Sequence, residues 1–273
     1  TFDKINDIFP FRKFFSKKRV GLNFSYLTAG QLHTLKKNFP SARFVDVSSP
    51  LYAGREIKTR EEIKKIIEAA AISQEISKKI PSMVKRNMSE LQLGAEIKYS
   101  LSKEGCEESF PTIVGFGKNS TDIHHFNGNK KLQKGENVLV DFGAKYQGYC
   151  ADLSRTFCFG NVSADQLEWY QKCFDAQTKA MEMIKPGVHV RHLMEAAEKT
   201  LGRKIPHALG HGIGLEVHDV PGAIYSKAEW TLKENQCLAI EPGYYGPRFG
   251  IRIEDDVIVT KNGNKRISFA PKK

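Results

Sequence analysis

The sequence predicts an α+β fold in which a pair of helices followed by strands occurs twice. Three helix starts carry a capping box, a Ser or Thr followed three residues later by Glu or Gln: Thr59 with Glu62, Ser89 with Gln92, and Ser163 with Gln166. Strand-like runs lie between and after the helices, at residues 112–116, 137–143, 149–157, 236–241 and 251–260. Residues 136–143 and 234–243 also resemble each other, as an internal duplication would predict.

Helical spacing of apolar residues supports each helix in turn. The first runs from Thr59 to about Val84, and the second ends at Gly105. The third is predicted to bury one side, formed by Leu167, Phe174, Met181 and Ile184. A fourth spans about 189–201. Residues 1–58 contain no group of residues with evident chemistry, so we predict a small accessory domain there and the main domain over 59–273.

Composition argues against several classes of protein. Hydrophobic residues make up 40% of the 273 residues, and no apolar run approaches the roughly 20 residues that span a bilayer, so no membrane partner is expected. The N-terminal segment lacks the apolar centre of a secretory signal, so we expect a cytoplasmic protein. Five cysteines without a CxxC pair indicate reduced thiols. The net charge of +11 is dispersed and accompanies no nucleic-acid-binding signature, so no nucleic-acid partner is expected.

Four acidic residues lie within or beside apolar strand-like runs. Asp141 is followed by Asp152, and Glu241 is followed by Glu254, so that each pair could meet across a hairpin. An isolated carboxylate is costly to remove from water, and four that converge would also repel one another. For one such acid alone, a surface position would be the better interpretation. Four together require positive charge, which two divalent cations would supply in full.

A glycine-rich segment adds imidazole ligands to this set. Residues 209–219 place His211 and His218 seven residues apart, among glycines that let the backbone approach a ligand closely. The predicted metal ligands are Asp141, Asp152, His211, Glu241 and Glu254. Oxygen ligands with one imidazole suit manganese, cobalt, zinc or iron(II), of which manganese is our first choice. A metal pair generates hydroxide from a shared water and polarises a carbonyl, which is the chemistry of hydrolysis.

The motifs resemble those of a known family. The segments VLVDFGA, YCADLSRTF, LGHGIGLEVHD, AIEPGYY and IRIEDDVIVT look like the five ligand motifs of the pita-bread metallopeptidases, peptidase family M24. This family includes aminopeptidase P, prolidase and methionine aminopeptidase. The resemblance covers about residue 59 to the C-terminus, with the motifs in order. It implies the pita-bread fold, with a pseudo-twofold repeat of a helix pair and a β-hairpin.

The resemblance also implies roles for the ligands. Asp141 would bind one metal, Asp152 and Glu254 would bridge both, and His211 and Glu241 would hold the other. Glu241 would in addition be the general base that takes a proton from the bridging water.

Further residues resemble the substrate side of the family's site. His218 would bind substrate and stabilise the oxyanion, and His124 aligns with the substrate-side histidine better than His125 does. His207 resembles an additional active-site histidine of aminopeptidase P, and Arg252 the arginine that precedes the bridging glutamate.

Within the family, IRIEDDVIVT favours the Xaa-Pro branch over methionine aminopeptidase. Residues 20–58 resemble the end of the N-terminal creatinase-like domain of Xaa-Pro enzymes, so residues 1–58 are predicted to be a partial or reduced form of that domain. In relatives this domain helps to build a dimer, and a homodimer is compatible with the resemblance.

The sequence favours one activity and leaves others open. Some prolidases carry an arginine after the VHE-like segment, whereas Gly222 follows Pro221 here. We therefore expect an Xaa-Pro aminopeptidase acting on short proline-containing peptides, with prolidase as the main alternative. Methionine aminopeptidase remains open too, as do a non-catalytic peptide-binding module and metal-free creatinase-like chemistry. Retention of all five ligands disfavours the last two.

Overall fold

The chain forms two compact units, divided between Arg55 and Glu56. The computed structural model describes residues 15–269. In the first unit, the parallel strands β1 (Arg19–Leu22) and β2 (Arg43–Asp46) are joined by helix α1 (Ala29–Asn38), and α2 (Ser48–Glu56) ends at the division. The boundary predicted after residue 58 falls in the connection between α2 and the next helix.

The second unit contains two pairs of helices. They are α3 (Arg60–Met83) with α4 (Glu90–Lys103), and α5 (Ala164–Glu182) with α6 (Arg191–Leu201). The three predicted capping boxes begin α3, α4 and α5, where the side chains of Thr59, Ser89 and Ser163 each accept an N–H of the first turn. Among residues 15–269, none of the helices combines the length and apolar character that crossing a bilayer requires.

Each helix pair packs against its own antiparallel sheet. Helices α3 and α4 share a core with the sheet β4-β5-β8, formed by Ile113–Phe116, Glu136–Phe142 and Leu153–Phe159. The other sheet has the order β10-β9-β11-β14-β15, formed by Asp219–Ala223, Gly210–Gly212, Cys237–Ile240, Asp255–Thr260 and Gly263–Arg266. It shares a core with α5 and α6. This repeat is the predicted pita-bread fold.

Short strands form two further small sheets. They are β3 (Glu107–Glu108), β6 (Ala144–Tyr146), β7 (Tyr149–Cys150), β12 (Gly243–Tyr245) and β13 (Gly250–Arg252). Strands β3, β6 and β7 form one small sheet, and β12 pairs with β13.

Two long strands predicted from the sequence are interrupted. The run 149–157 breaks into β7 and β8 around Asp152, and the run 251–260 breaks into β13 and β14 around Glu254. At both breaks the backbone N–H bonds outside a regular ladder: that of Asp152 donates to Asp256 Oδ2 at 3.0 Å, and that of Glu254 to the Ser154 carbonyl at 3.1 Å. The prediction of unbroken strands was wrong because an apolar pattern does not reveal where a backbone N–H leaves the ladder for another acceptor, here a side chain at one break and a carbonyl at the other.

The buried face of α5 also differs from the prediction. Leu167 is 59% exposed, whereas the small residues Cys173, Ala176 and Ala180 are fully buried. Gln177 is fully buried as well, and its Nε2 donates to the carbonyls of Ile240 at 2.9 Å and Ile253 at 3.1 Å. These two residues immediately precede Glu241 and Glu254. A polar residue in the core of α5 therefore fastens both acidic segments to the helix.

We expect Gln177→Met, which preserves the side-chain length, to lower the free energy of unfolding by about 1–3 kcal/mol, because two buried carbonyls lose a donor. The exposed Gln171 of the same helix bonds to Asp175, and Gln171→Met should change stability by less than about 0.5 kcal/mol. Urea denaturation of both variants measures the difference. Equal losses would contradict a special role for Gln177.

Candidate metal centre

Four of the five predicted ligands lie near the end of a strand or at a strand break, and the fifth lies within a strand of three residues. Asp141 is near the end of β5, His211 is at the centre of β9, and Glu241 directly follows β11. Asp152 and Glu254 occupy the two strand interruptions. A residue at such a position is held by the sheet on one side, while its side chain leaves the regular in-and-out alternation of the strand.

The structure brings these side chains together in a buried site. One ligand atom each of Asp152, His211 and Glu254 lies within 4.8 Å of the others. His211 Nε2 is 3.5 Å from Asp152 Oδ2 and 3.8 Å from Glu241 Oε1. Asp141 is close enough for its charge to raise the pKa of Asp152, Glu241 and Glu254. The acids do not pair directly across the β5–β8 hairpin, since Asp141 faces Ser154 there.

Burial and mutual repulsion disfavour the charged forms of these acids. Burial is the largest cause that raises the pKa of Asp152 and Glu254 well above the usual value, and neighbouring carboxylates raise it further. Burial also raises the pKa of Glu241 to about 7, although His211 and Arg252 act in the opposite direction. The site therefore concentrates more negative charge than its own cations compensate.

Two observations show that the residues present fit divalent cations. Asp141 Oδ1 and Asp152 Oδ1 are buried and have no hydrogen-bond partner among the residues that the structure describes. His211 Nδ1 lies 3.1 Å from the Gly212 carbonyl, which can only accept, so Nδ1 carries the proton. The Nε2 lone pair then faces the carboxylates, as a metal-ligating histidine requires.

Arg252 organises the carboxylates from within. It is 2% exposed, and its Nη2 donates to Asp141 Oδ2 at 2.6 Å while its Nε donates to Ser154 Oγ at 2.9 Å. Ser154 Oγ in turn donates to Glu254 Oε2 at 2.8 Å. Arg252 was predicted on the substrate side, and in the structure its N–H groups bond to acceptors of Asp141, Ser154, Ile123 and Tyr245. Among these, Tyr245 accepts Nη1 at 2.9 Å.

Sequence analysis did not identify Asp255 and Asp256, which follow Glu254 and lie around the predicted ligands. Asp256 Oδ2 accepts the N–H of Asp152, and Asp255 Oδ1 accepts Arg155 Nη2 at 2.5 Å. Burial raises the pKa of Asp256 to about 8. The segment IRIEDDVIVT did contain a signal for Asp255 and Asp256. They are two further consecutive acids in an apolar strand, and such acids need partners.

His207 and His218 lie beside different predicted ligands, His207 beside Glu241 and His218 beside His211. His207 Nδ1 donates to the Ala208 carbonyl at 2.7 Å, so its Nε2 accepts from the Tyr245 hydroxyl at 3.0 Å. The ring of His218 lies 4.3 Å from that of His211, centroid to centroid. Burial is the main cause that lowers the pKa of both His207 and His218 to about 4. Both imidazoles are therefore neutral at physiological pH.

His124 and His125 point to different surroundings. His124 is exposed, and its charge contributes to lowering the pKa of His207 and His218, so it lies near both. His125 Nε2 instead lies 2.9 Å from the buried carboxylate of Glu90.

Known proteins match this chain over nearly its whole length. The sequence profile of metallopeptidase family M24 matches residues 64–261. An Xaa-Pro dipeptidase of Pyrococcus horikoshii is 34% identical over 258 residues, which are 92% of this chain and 73% of the relative.

Solved structures give the same result. A prolidase from Pyrococcus horikoshii superimposes with a TM-score of 0.91 at 33% identity, covering 100% of this chain and 79% of its own. An X-Pro aminopeptidase from Thermotoga maritima gives 0.91 at 30% identity with the same coverage. These similarities and the family profile agree with the fold described above and with the concentration of acidic residues in the site. The chain therefore belongs to metallopeptidase family M24.

Proposed function

We propose that the chain is a dinuclear-metal peptidase that hydrolyses the bond before proline, with Xaa-Pro dipeptides as its preferred substrates. The observation that carries the proposal is the convergence of buried carboxylates on His211 with two oxygens lacking a protein partner among the described residues. The sequence favoured an aminopeptidase, but the relatives named Xaa-Pro dipeptidase or prolidase support the alternative. The proposal therefore takes the dipeptidase as its first form.

In this proposal two divalent ions, manganese in the first place, are held by five residues: Asp141, Asp152, His211, Glu241 and Glu254. When bound, such ions lower the pKa of a water molecule and polarise a substrate carbonyl. The donor set of oxygens with one imidazole supports this class of metal and does not favour zinc over manganese, cobalt or iron(II).

The chain's own residues then move and hold the protons. Glu241 Oε2, 3.8 Å from His207 Nδ1, is the proposed acceptor for the proton of the attacking water, and returns it to the leaving proline nitrogen. A proline nitrogen is a poor leaving group until it is protonated, so the same carboxyl group serves both halves of the reaction. His218, neutral and partly exposed, can donate a hydrogen bond to the oxyanion that forms on the carbonyl. His124, His207 and Arg252 complete the proposed substrate side.

An aminopeptidase remains the second candidate because a specific observation favours it. A dipeptidase must hold the free carboxylate of proline, and Gly222 occupies the position after Pro221 where some prolidases have an arginine. A further arginine, Arg248, pairs with Asp165. The likeness to an X-Pro aminopeptidase of Thermotoga maritima agrees with this candidate.

The N-terminal region and the partners complete the proposal. Residues 1–58 are proposed to be part of a creatinase-like N-terminal domain. The proposed partners are short proline-containing peptides, and cytoplasmic location and a homodimer remain predictions.

The metal-free protein should gain thermal stability when manganese, cobalt or zinc is added. Binding at about 100 times the dissociation constant adds about 2.7 kcal/mol, which corresponds to a rise in Tm of about 5–10 °C for a chain of this size. Glu254→Gln should lose most of this rise, whereas Glu234→Gln, at an exposed position, should keep it. Differential scanning calorimetry would contradict the ligand assignment if Glu254→Gln responded to metal like the wild type.

Replacing the proposed general base should abolish catalysis without unfolding the protein. We expect Glu241→Gln to lower kcat on Xaa-Pro substrates by about 10²- to 10⁴-fold, because the amide cannot accept the proton. Metal content, measured by mass spectrometry on the same samples, separates lost proton transfer from lost metal. Glu234→Gln again serves as the matched control. Activity within about threefold of the wild type in Glu241→Gln would exclude the assigned role.

Chain-length preference decides between the two candidates. With metal bound, Xaa-Pro dipeptides should be cleaved with kcat/KM about tenfold higher than the matching Xaa-Pro-Xaa tripeptides. The reverse ratio would establish the aminopeptidase, and cleavage of methionine-initiated peptides without proline would indicate methionine aminopeptidase. Metal binding with no hydrolysis of any of these peptides would point to a peptide-binding module.

A further inference from the structure

Residues 117–128, here termed the His124 loop, join β4 to the segment before β5 and begin with a 3-10 turn, Gly117–Thr121. One side of the loop lies on β13. The N–H of Gly250 donates to Ser120 Oγ at 2.7 Å, and a side chain at Gly250 would place its Cβ 1.9 Å from the Ser120 carbonyl oxygen. Arg252 Nη1 donates to the carbonyl of Ile123 at 3.3 Å. The loop is therefore anchored next to the metal ligands.

The loop also bonds to the carboxylate of Glu90, in addition to the bonds that Asn127 forms with Val114 and Thr112. Glu90 is the first residue of α4 and is fully buried. Its Oε1 accepts the N–H of Phe116 at 2.9 Å and Asn119 Nδ2 at 3.0 Å. Its Oε2 accepts the N–H of Gly128 at 3.1 Å and faces His125 Nε2 at 2.9 Å. All four donors lie within the loop or directly before it.

Glu90 is not needed to cap its own helix. The N-cap of α4 is Ser89, which forms a complete capping box with Gln92. Burying a carboxylate is costly unless it accepts several hydrogen bonds, and all four of these bonds come from residues distant in the sequence. The contacts thus serve the His124 loop rather than the start of α4.

We propose that Glu90 is the positioning residue of the candidate active site that fixes His124. Glu90 binds the two ends of the loop through Phe116 and Gly128, and binds its interior through Asn119 and His125. Because Glu90 binds His125, it also restrains the backbone of the adjacent His124, whose own N–H donates to Asp122 Oδ1 at 3.3 Å. The substrate-side role of His124 rests on the proposed function; the positioning of the loop by Glu90 does not.

Hydrogen exchange tests the positioning without any substrate. Glu90→Gln removes the charge and one acceptor oxygen but preserves the shape of the side chain. The amides of Phe116, Gly128 and the His124 loop should then exchange about tenfold faster or more, while those of β11 stay unchanged. The matched control is Glu61→Gln, which removes an exposed first-turn carboxylate of α3 that bonds to Lys64. Exchange in the loop at the wild-type rate would overturn the proposal.

A double-mutant cycle in the metal-loaded enzyme tests whether Glu90 acts through His124. Glu90→Gln alone should lower kcat/KM on an Xaa-Pro dipeptide by about tenfold, with partial recovery in Glu90→Asp. In a His124→Ala background the same change should cost less than about twofold, because the residue it positions is gone. Full additivity, or loss of bound metal in Glu90→Gln, would show general destabilisation and overturn the proposal.

The two measurements also separate this inference from the proposed function. If His124→Ala leaves kcat/KM unchanged, the assigned role of His124 fails, and faster loop exchange in Glu90→Gln still supports Glu90 as the residue that holds the loop. If the wild-type enzyme cleaves no proline peptide, the proposed function fails, and the exchange experiment decides the positioning on its own.

Discussion

The concentration of acidic side chains in one buried site is the constraint on which the rest of this structure depends. Asp141 lies close enough to the other three acids for its charge to raise the pKa of Asp152, Glu241 and Glu254, in surroundings that already disfavour the charged forms of those three. An arrangement of this kind persists only if each carboxylate is held against the repulsion and the total charge is compensated. The surrounding fold can be understood as meeting these two requirements.

The acids are held by strand ends and by two sets of hydrogen bonds. Ile240 and Ile253, each directly before a proposed ligand, accept bonds at their carbonyls from Gln177 in the core. Within the site, Arg252 binds Asp141, and through Ser154 it is linked to Glu254. The strand interruptions at Asp152 and Glu254 contribute to the same arrangement. In an uninterrupted ladder, each of these side chains would keep the face that strand alternation gives it.

The features that could be predicted from the sequence are those with a local signal, such as a residue type that is unusual in its surroundings. Asp141 within VLVDFGA, and Glu254 within IRIEDDVIVT, are acids in apolar runs, and capping boxes are local signals that need no tertiary contact. The exposure of Leu167 was not predictable in this way, because spacing defines a helical face but not what covers it. Glu90 was missed because an acid in the first turn of a helix is ordinary, and its partners come from the end of β4 and from the His124 loop.

The residues of the proposed substrate side differ from the proposed ligands in their position in the fold and in their charge. The ligands stand on strands or at strand breaks, whereas His124 stands on a loop, and His207 and His218 are kept neutral, so they act as hydrogen-bonding groups rather than as charges. Release of a residue before proline and cleavage of an Xaa-Pro dipeptide differ only in whether the substrate continues beyond the proline, so the strand-borne ligands are common to both. We infer that discrimination between these substrates depends on the loops, including the position of a side chain such as His124, while the carboxylates stay fixed. On this inference, family membership identifies the chemistry of the site, and the contacts that hold the loops are the proposed determinants of which peptide it acts on.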